Sequence, residues 1–255
     1  MTGQELAVSK QEQALTKEDK KKIWAFAIIS VAFIVLYQIP YGRYVLYPIS
    51  LLFTYVHEMG HGLTAILVGG SFDHFKMWAD TSGVAYSYVP DSSFARALVA
   101  AGGLVNPAIV AAVFFVCGRY ERAGKASLMV FGILAALSVV FLVRNVFGAL
   151  YVTLLAAVCI LAAVKLNHNL SQILIIILAI GLTTSTFAEG NYLFMDFGYT
   201  GDGKLMPSDT QNIAQNLFLP YWFWGGLVAL ISAAVLFFGV KSFFKKPKAK
   251  KALPK

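Results

Sequence analysis

Charge is what this sequence has least of. Only 13% of its 255 residues are Asp, Glu, Lys or Arg, while 58% are hydrophobic and the mean hydropathy is +0.68. A water-soluble domain carries about twice that charge, so a soluble globular chain is excluded and an integral membrane protein is indicated. Cysteine is almost as scarce. Cys117 and Cys159 both lie in apolar runs, where they read as small buried hydrophobes and offer no disulfide framework. Acidic residues number 13 against 21 basic ones, giving a net charge of +8. The surplus sits mainly at the ends, in Lys17, Lys20, Lys21 and Lys22 and in Lys245-Lys246-Pro247-Lys248-Ala249-Lys250-Lys251. Flanks of this kind are positive-inside signals that favour anionic headgroups. The expected partner is therefore a lipid bilayer and not a nucleic acid. Internal repeats, low-complexity tracts and a separate soluble domain are also missing.

Apolar runs long enough to span a bilayer, roughly 17 to 25 residues, occur near 23–39, 46–69, 97–117, 127–143, 146–164, 171–188 and 221–240. The first is followed by Pro40-Tyr41-Gly42-Arg43 with no small-x-small cleavage site, so it reads as a retained span rather than a removed signal peptide. Two basic tails that both prefer the cytoplasm require an even number of crossings. One of the seven runs is therefore expected to be re-entrant, split or merged with a neighbour. Arg144-Asn145 interrupts the apolar sequence, with Arg144 marking a membrane boundary or pairing with a carboxylate and Asn145 packing. The layout is a basic tail at 1–22, one membrane domain at 23–240 and a second basic tail at 241–255.

Tyr-Val-His-Glu-Met-Gly-His-Gly-Leu, residues 55–63, stands inside the second run, and from Val45 to Val68 it holds the only formal charge. An ionisable side chain near a bilayer centre costs roughly 2.5 to 3.5 kcal/mol on insertion scales, so three together require a function. Residues four apart on a helix share a face about 6 Å apart along the axis, which lets His57 and His61 aim their imidazoles at one ion. Glu58 points to the flank, where it can take a proton from a water without being a ligand. Two imidazoles and a carboxylate leave the fourth zinc position open, so zinc is the implied cofactor. After the motif, Ser71 to Tyr88 has a turn signal at Asp80–Gly83 and alternating Val84, Tyr86 and Tyr88, the pattern of a short hairpin. Residues 189–220 turn polar and hold Asp196, Asp202 and Asp209, with a capped short helix expected from Ser208. The expected fold is an all-α polytopic membrane protein with about six to eight transmembrane helices and a short membrane-associated β-hairpin after the motif helix.

Four features in order resemble the site-2-protease-like intramembrane zinc metalloproteases, in particular their short bacterial branch without a PDZ domain. They are His57-Glu58-Met59-Gly60-His61, a hairpin around Gly83-Val84, Ala-Gly-Gly-Leu-Val-Asn-Pro at 101–107, and Ser208-Asp209 ahead of the last span. The resemblance implies a third zinc ligand, an aspartate that the family carries in Leu-Asp-Gly, and that tripeptide is missing here. Asp209 is preferred because a helix start holds an aspartate by capping geometry. Asp202, between Gly201 and Gly203, is the alternative ligand, and Asp196 comes third. Asn106 sits where the family has Gly-Pro-x-x-Asn, with Gly103 in place of the proline. The resemblance implies that it steadies substrate or oxyanion; otherwise it is interhelical glue. His168 reads as a surface residue, and His74 as the same or as an alternative ligand.

These readings combine into a zinc metalloendopeptidase of a bacterial cytoplasmic membrane that hydrolyses membrane-embedded protein substrates. Glu58 serves as general base, and the oligomeric state is left open. The rival is a metal-binding membrane transporter, or an inactive scaffold with the same fold, because intramembrane His and Asp residues also mark ion pathways.

Overall fold

A computed structural model describes residues 17–188 and 190–245. Seven long helices occupy the seven apolar runs: α1 Lys17–Gln38, α2 Gly42–Leu67, α3 Ser93–Gly118, α4 Glu121–Phe141, α5 Val146–Lys165, α6 His168–Ala188 and α8 Tyr221–Phe244, with the short α7 Asp209–Asn216 before the last. Five of these helices are long and apolar enough to cross a membrane unaided. The first two pass only as a pair bent by 110°, which brings the number of candidate spans to six. The odd segment thus belongs to the break before α2 rather than to Arg144-Asn145.

Helix α3 runs through the middle of the bundle against α2, α6, α7 and α8. In lipid no hydrophobic drive presses helices together, so close approach depends on small residues. At the α2–α3 crossing Gly60 faces Gly102, Gly103 and the Asn106 Cβ, and Gly102 faces Thr64, with no room for a methyl group at either glycine. Leu51, Leu52, Tyr55 and Val56 fill the core on the other flank of α2.

β1 Ser71–Met77 and β2 Gly83–Tyr88 form the expected hairpin, paired antiparallel with Phe75 opposite Ala85. Its turn is closed by Asp80, whose Oδ1 accepts from the Ser82 N–H at 3.0 Å and the Ser82 hydroxyl at 2.7 Å. The turn is stapled to α2 by the Thr54 hydroxyl, which donates to the Thr81 carbonyl at 2.6 Å, and by the Tyr47 hydroxyl, which donates to Ala79 at 2.7 Å.

The chain between α4 and α5 adds to the other edge of β1. The Phe75 N–H donates to the Leu142 carbonyl at 2.9 Å, and the Arg144 N–H donates back to Phe75 at 3.1 Å. Asn145 completes the join, its amide donating to the Met77 carbonyl and its Oδ1 accepting from the Met77 N–H at 3.2 Å. Arg144 pairs with no carboxylate among the described residues. Its guanidinium donates to the carbonyls of Val140 and Phe141, which the end of α4 leaves unsatisfied, and to that of Val143 just beyond it. With β1 flanked on both sides, the outer edge of β2 is the free edge of this sheet.

A 3-10 turn, Gly190–Phe194, follows α6 and leads to a second hairpin, β3 Phe197–Tyr199 and β4 Leu205–Pro207. Its turn meets the first: the Gly201 N–H donates to the Ser82 hydroxyl at 2.9 Å, and Gly201 packs on Trp78 with no space for a Cβ.

Because Met77 is fully buried, Asn145→Leu leaves its N–H and C=O unpaired. The variant is expected to lose about 1–3 kcal/mol of stability, read as a lower midpoint of denaturant unfolding in detergent micelles. An unchanged midpoint would show that the Asn145 clamp carries no weight.

Candidate functional site

Helical spacing sets the first pair of the site. His57 and His61 lie one turn apart on α2 with their rings at 88° and their Nε2 atoms 3.1 Å apart. The His61 Nδ1 is 2.9 Å from the Val99 carbonyl on α3. A carbonyl only accepts, so Nδ1 carries the hydrogen and Nε2 keeps its lone pair facing His57.

The third member arrives from the far end of the chain. Ser208 caps α7 by accepting from the Gln211 N–H at 3.1 Å, and its own hydroxyl is anchored on the Met195 carbonyl at 2.6 Å. That cap fixes Asp209, the first residue of α7, with Oδ2 at 3.0 Å from the His57 Nε2 and 3.3 Å from the His61 Nε2.

Three possible ligand atoms converge, and with both imidazoles neutral the chain alone cannot satisfy all three contacts. With a neutral His61 whose hydrogen is on Nδ1, at most one hydrogen, that of His57, is available for all three contacts. A divalent cation satisfies all three lone pairs together. Ligands about 2.0–2.1 Å from a tetrahedral ion stand about 3.3 Å apart, close to the separations seen. His57, His61 and Asp209 therefore form a group able to hold a metal ion.

Glu58 stands beside this group and outside it. It is buried, at 3% exposure, with its carboxylate set against β2 at Gly83 and on the side of the Ala85 N–H. Two glycines make room for these side chains. A Cβ on Gly83 would land on the Glu58 carboxylate and on Thr54, and a Cβ on Gly103 would land on the His61 ring. The position that carries glycine in place of the family's proline is thus the one that the second histidine presses against.

The other candidates lie elsewhere. The Asn106 amide is engaged with the Val56 carbonyl at 2.6 Å, tying α3 to α2, and Asn106 does not line the cleft. Asp202 sits in the exposed β3–β4 turn, accepting from the Thr200 hydroxyl and pairing with Lys204 at 3.1 Å. Asp196 is exposed and accepts from the Phe197 N–H at 2.9 Å. His74 is partly buried, bonded to Asp73 at 2.9 Å and stacked on Tyr86, away from the cluster. His168 opens α6 on the exposed surface. Sequence reasoning passed over Tyr192, which lies in a stretch with no motif and reaches Asp209 only through the fold.

A cleft of about 580 Å³ opens over the site, within the range of volumes that take a ligand. Its walls are α2, the β2 edge from Gly83 to Ser87, the second hairpin and α7.

The profile of the Peptidase M50B-like family matches residues 25–239. The chain belongs to that family. This is the site-2-protease family of membrane-embedded metalloproteases, and no PDZ domain falls within the match. No curated protein and no solved structure matches the chain. In this M50B-like chain, membership accounts for an ionisable cluster inside an apolar bundle.

Gly103→Ala tests the geometry. An alanine elsewhere in a helix stabilises by about 1 kcal/mol over glycine, whereas here its methyl displaces His61. Retained metal, measured by mass spectrometry of the purified protein, is expected to fall about tenfold or more with helicity unchanged. Full metal content would mean that the ring yields without consequence.

Proposed function

We propose that the protein is a zinc-dependent intramembrane endopeptidase, resident in a bacterial cytoplasmic membrane, that hydrolyses transmembrane or membrane-associated protein substrates. One observation carries the reading: two imidazoles and a carboxylate converge on a point, while a further carboxylate, Glu58, lies in the same cleft, packed against β2 at Gly83. A binding or transport site has no need of the second carboxylate, whereas hydrolysis needs a base that is not a ligand.

Zinc, when held by His57, His61 and Asp209, supplies a Lewis acid that polarises the scissile carbonyl and makes a water acidic at about pH 7. Glu58 takes the proton of the attacking water as its oxygen bonds to the carbonyl carbon. It then gives that proton to the nitrogen as the C–N bond breaks. A peptide bond inside a helix is covered by its own hydrogen bonds, so the substrate has to be extended locally. The free edge of β2 lines the cleft and suits strand addition, in which main-chain bonds hold an extended peptide. That same edge fixes Glu58, so a peptide lying along it is delivered to the base. Ser50, Thr54 and Ser82, with the second hairpin, give the cleft a polar wall along which water can reach the site.

Glu58→Gln keeps the size of the side chain and removes the base. In proteoliposomes with a model transmembrane substrate, cleavage is expected to fall about 10²- to 10⁴-fold while metal stoichiometry stays at wild-type level. Wild-type cleavage is also expected to stop on chelation and return with zinc. Full-rate cleavage by Glu58→Gln would sink the mechanism. Zinc flux in that variant, with no cleavage even by wild type, would favour the transporter.

A further inference from the structure

The Asp209 carboxylate has a third neighbour besides the two histidines. The Tyr192 hydroxyl donates to Oδ2 at 3.2 Å and accepts from the Asp209 main-chain N–H at 3.4 Å. The phenol thus holds one residue at two points, its main chain and its carboxylate. The oxygen it touches is the one facing both Nε2 atoms. Its ring also packs edge-on against His57, with centroids 6.0 Å apart and planes at 80°.

Tyr192 is firmly mounted. It belongs to the 3-10 turn Gly190–Phe194, whose Leu193 is buried against α8. Gly225 of α8 lies so close to the Leu193 carbonyl that a Cβ there would collide with it. Asp209, by contrast, starts an eight-residue helix, and helices that short do not hold themselves in place. Capping by Ser208 sets the backbone of Asp209 but leaves χ1 and χ2 free. The Tyr192 hydroxyl restricts them.

Resting on the metal-centre reading above, we propose that Tyr192 is a positioning residue that orients the Asp209 carboxylate as third ligand. Partners of this kind bonded to metal ligands are typically worth 10- to 100-fold in metal affinity or activity. The hydrogen bond to Oδ2 persists alongside ligation, because a carboxylate oxygen has two lone pairs and one metal bond uses one of them.

Tyr192→Phe removes the hydroxyl and keeps the ring against His57. The full-length protein in detergent is titrated with zinc against a chromophoric chelator. The cobalt-substituted protein is examined by visible absorption, which reports the symmetry of the ligand set. The variant is expected to bind zinc 10- to 100-fold more weakly and to shift the cobalt bands, with the unfolding midpoint of the metal-free protein unchanged. A purely structural role would move that midpoint and leave the cobalt bands in place, which would overturn the proposal. Tyr192→Phe matching wild type in both affinity and spectrum would also overturn it. Wild-type protein that binds no zinc would instead overturn the metal-centre reading itself, and Asp209→Ala in the same titration separates the two failures. If Asp209→Ala weakens binding and Tyr192→Phe does not, only the positioning role falls.

Discussion

Three lone pairs aimed at one point are the constraint on which this structure depends. Two imidazole nitrogens and a carboxylate oxygen within 3.0–3.3 Å of one another are unfavourable in an apolar bundle unless a cation lies among them. Each layer around them serves that meeting. Helix α2 brings the histidines onto one face, the Val99 carbonyl fixes the tautomer of His61, and the Ser208 cap delivers the aspartate from about 150 residues further along the chain. Breaking any one of these leaves ionisable groups facing lipid or each other.

The two hairpins give the centre its non-helical walls. Irregular and extended backbone is tolerated at membrane depth only where protein or a water-filled cavity satisfies its polar groups. β1 meets this requirement on both sides, from β2 and from the Leu142–Arg144 segment clamped by Asn145. β2 has one edge left over, and that edge faces the cleft. The Glu58 carboxylate packs on Gly83 there, so the one unpaired strand edge of the first hairpin lies beside the histidine and aspartate cluster in the same cleft. Contact between the hairpin turns at Ser82 and Gly201 joins the motif half of the chain to the Asp209 half.

How much of this the sequence disclosed follows from the range of each interaction. The periodicity that makes a helix and the i, i+4 relation of His57 to His61 are local, so the seven long helices and the histidine pair on one face were legible. Asp209 was legible as far as its cap, because Ser208 acts within three residues. The Ser71–Tyr88 hairpin announced itself through Asp80–Gly83 for the same reason. What remained hidden was non-local. Asn106 presented an amide in an apolar helix, but only the fold shows that Val56 takes it. Arg144 read equally as a boundary mark or an ion-pair partner, and its partners are main-chain carbonyls at and just past the end of α4. Tyr192 gave no signal, because an isolated tyrosine after a span is ordinary interfacial sequence until α8 and α7 bring its hydroxyl to Asp209.

The α2–α3 crossing shows why stability and activity are hard to separate in such a protein. Helices in lipid gain from van der Waals contact and interhelical hydrogen bonds, so Gly60, Gly102 and Gly103 are worth their conformational cost of about 1 kcal/mol each simply as packing residues. Asn106 adds an interhelical hydrogen bond at the same place. Yet the space over Gly103 is filled by the His61 ring, and the carbonyl that sets the tautomer of that ring is Val99, one turn earlier on the same helix. A wider crossing would weaken the helix pair and in the same movement withdraw the Val99 carbonyl from His61. The packing that holds the bundle together at this point is therefore also what orients the second histidine toward His57 and Asp209.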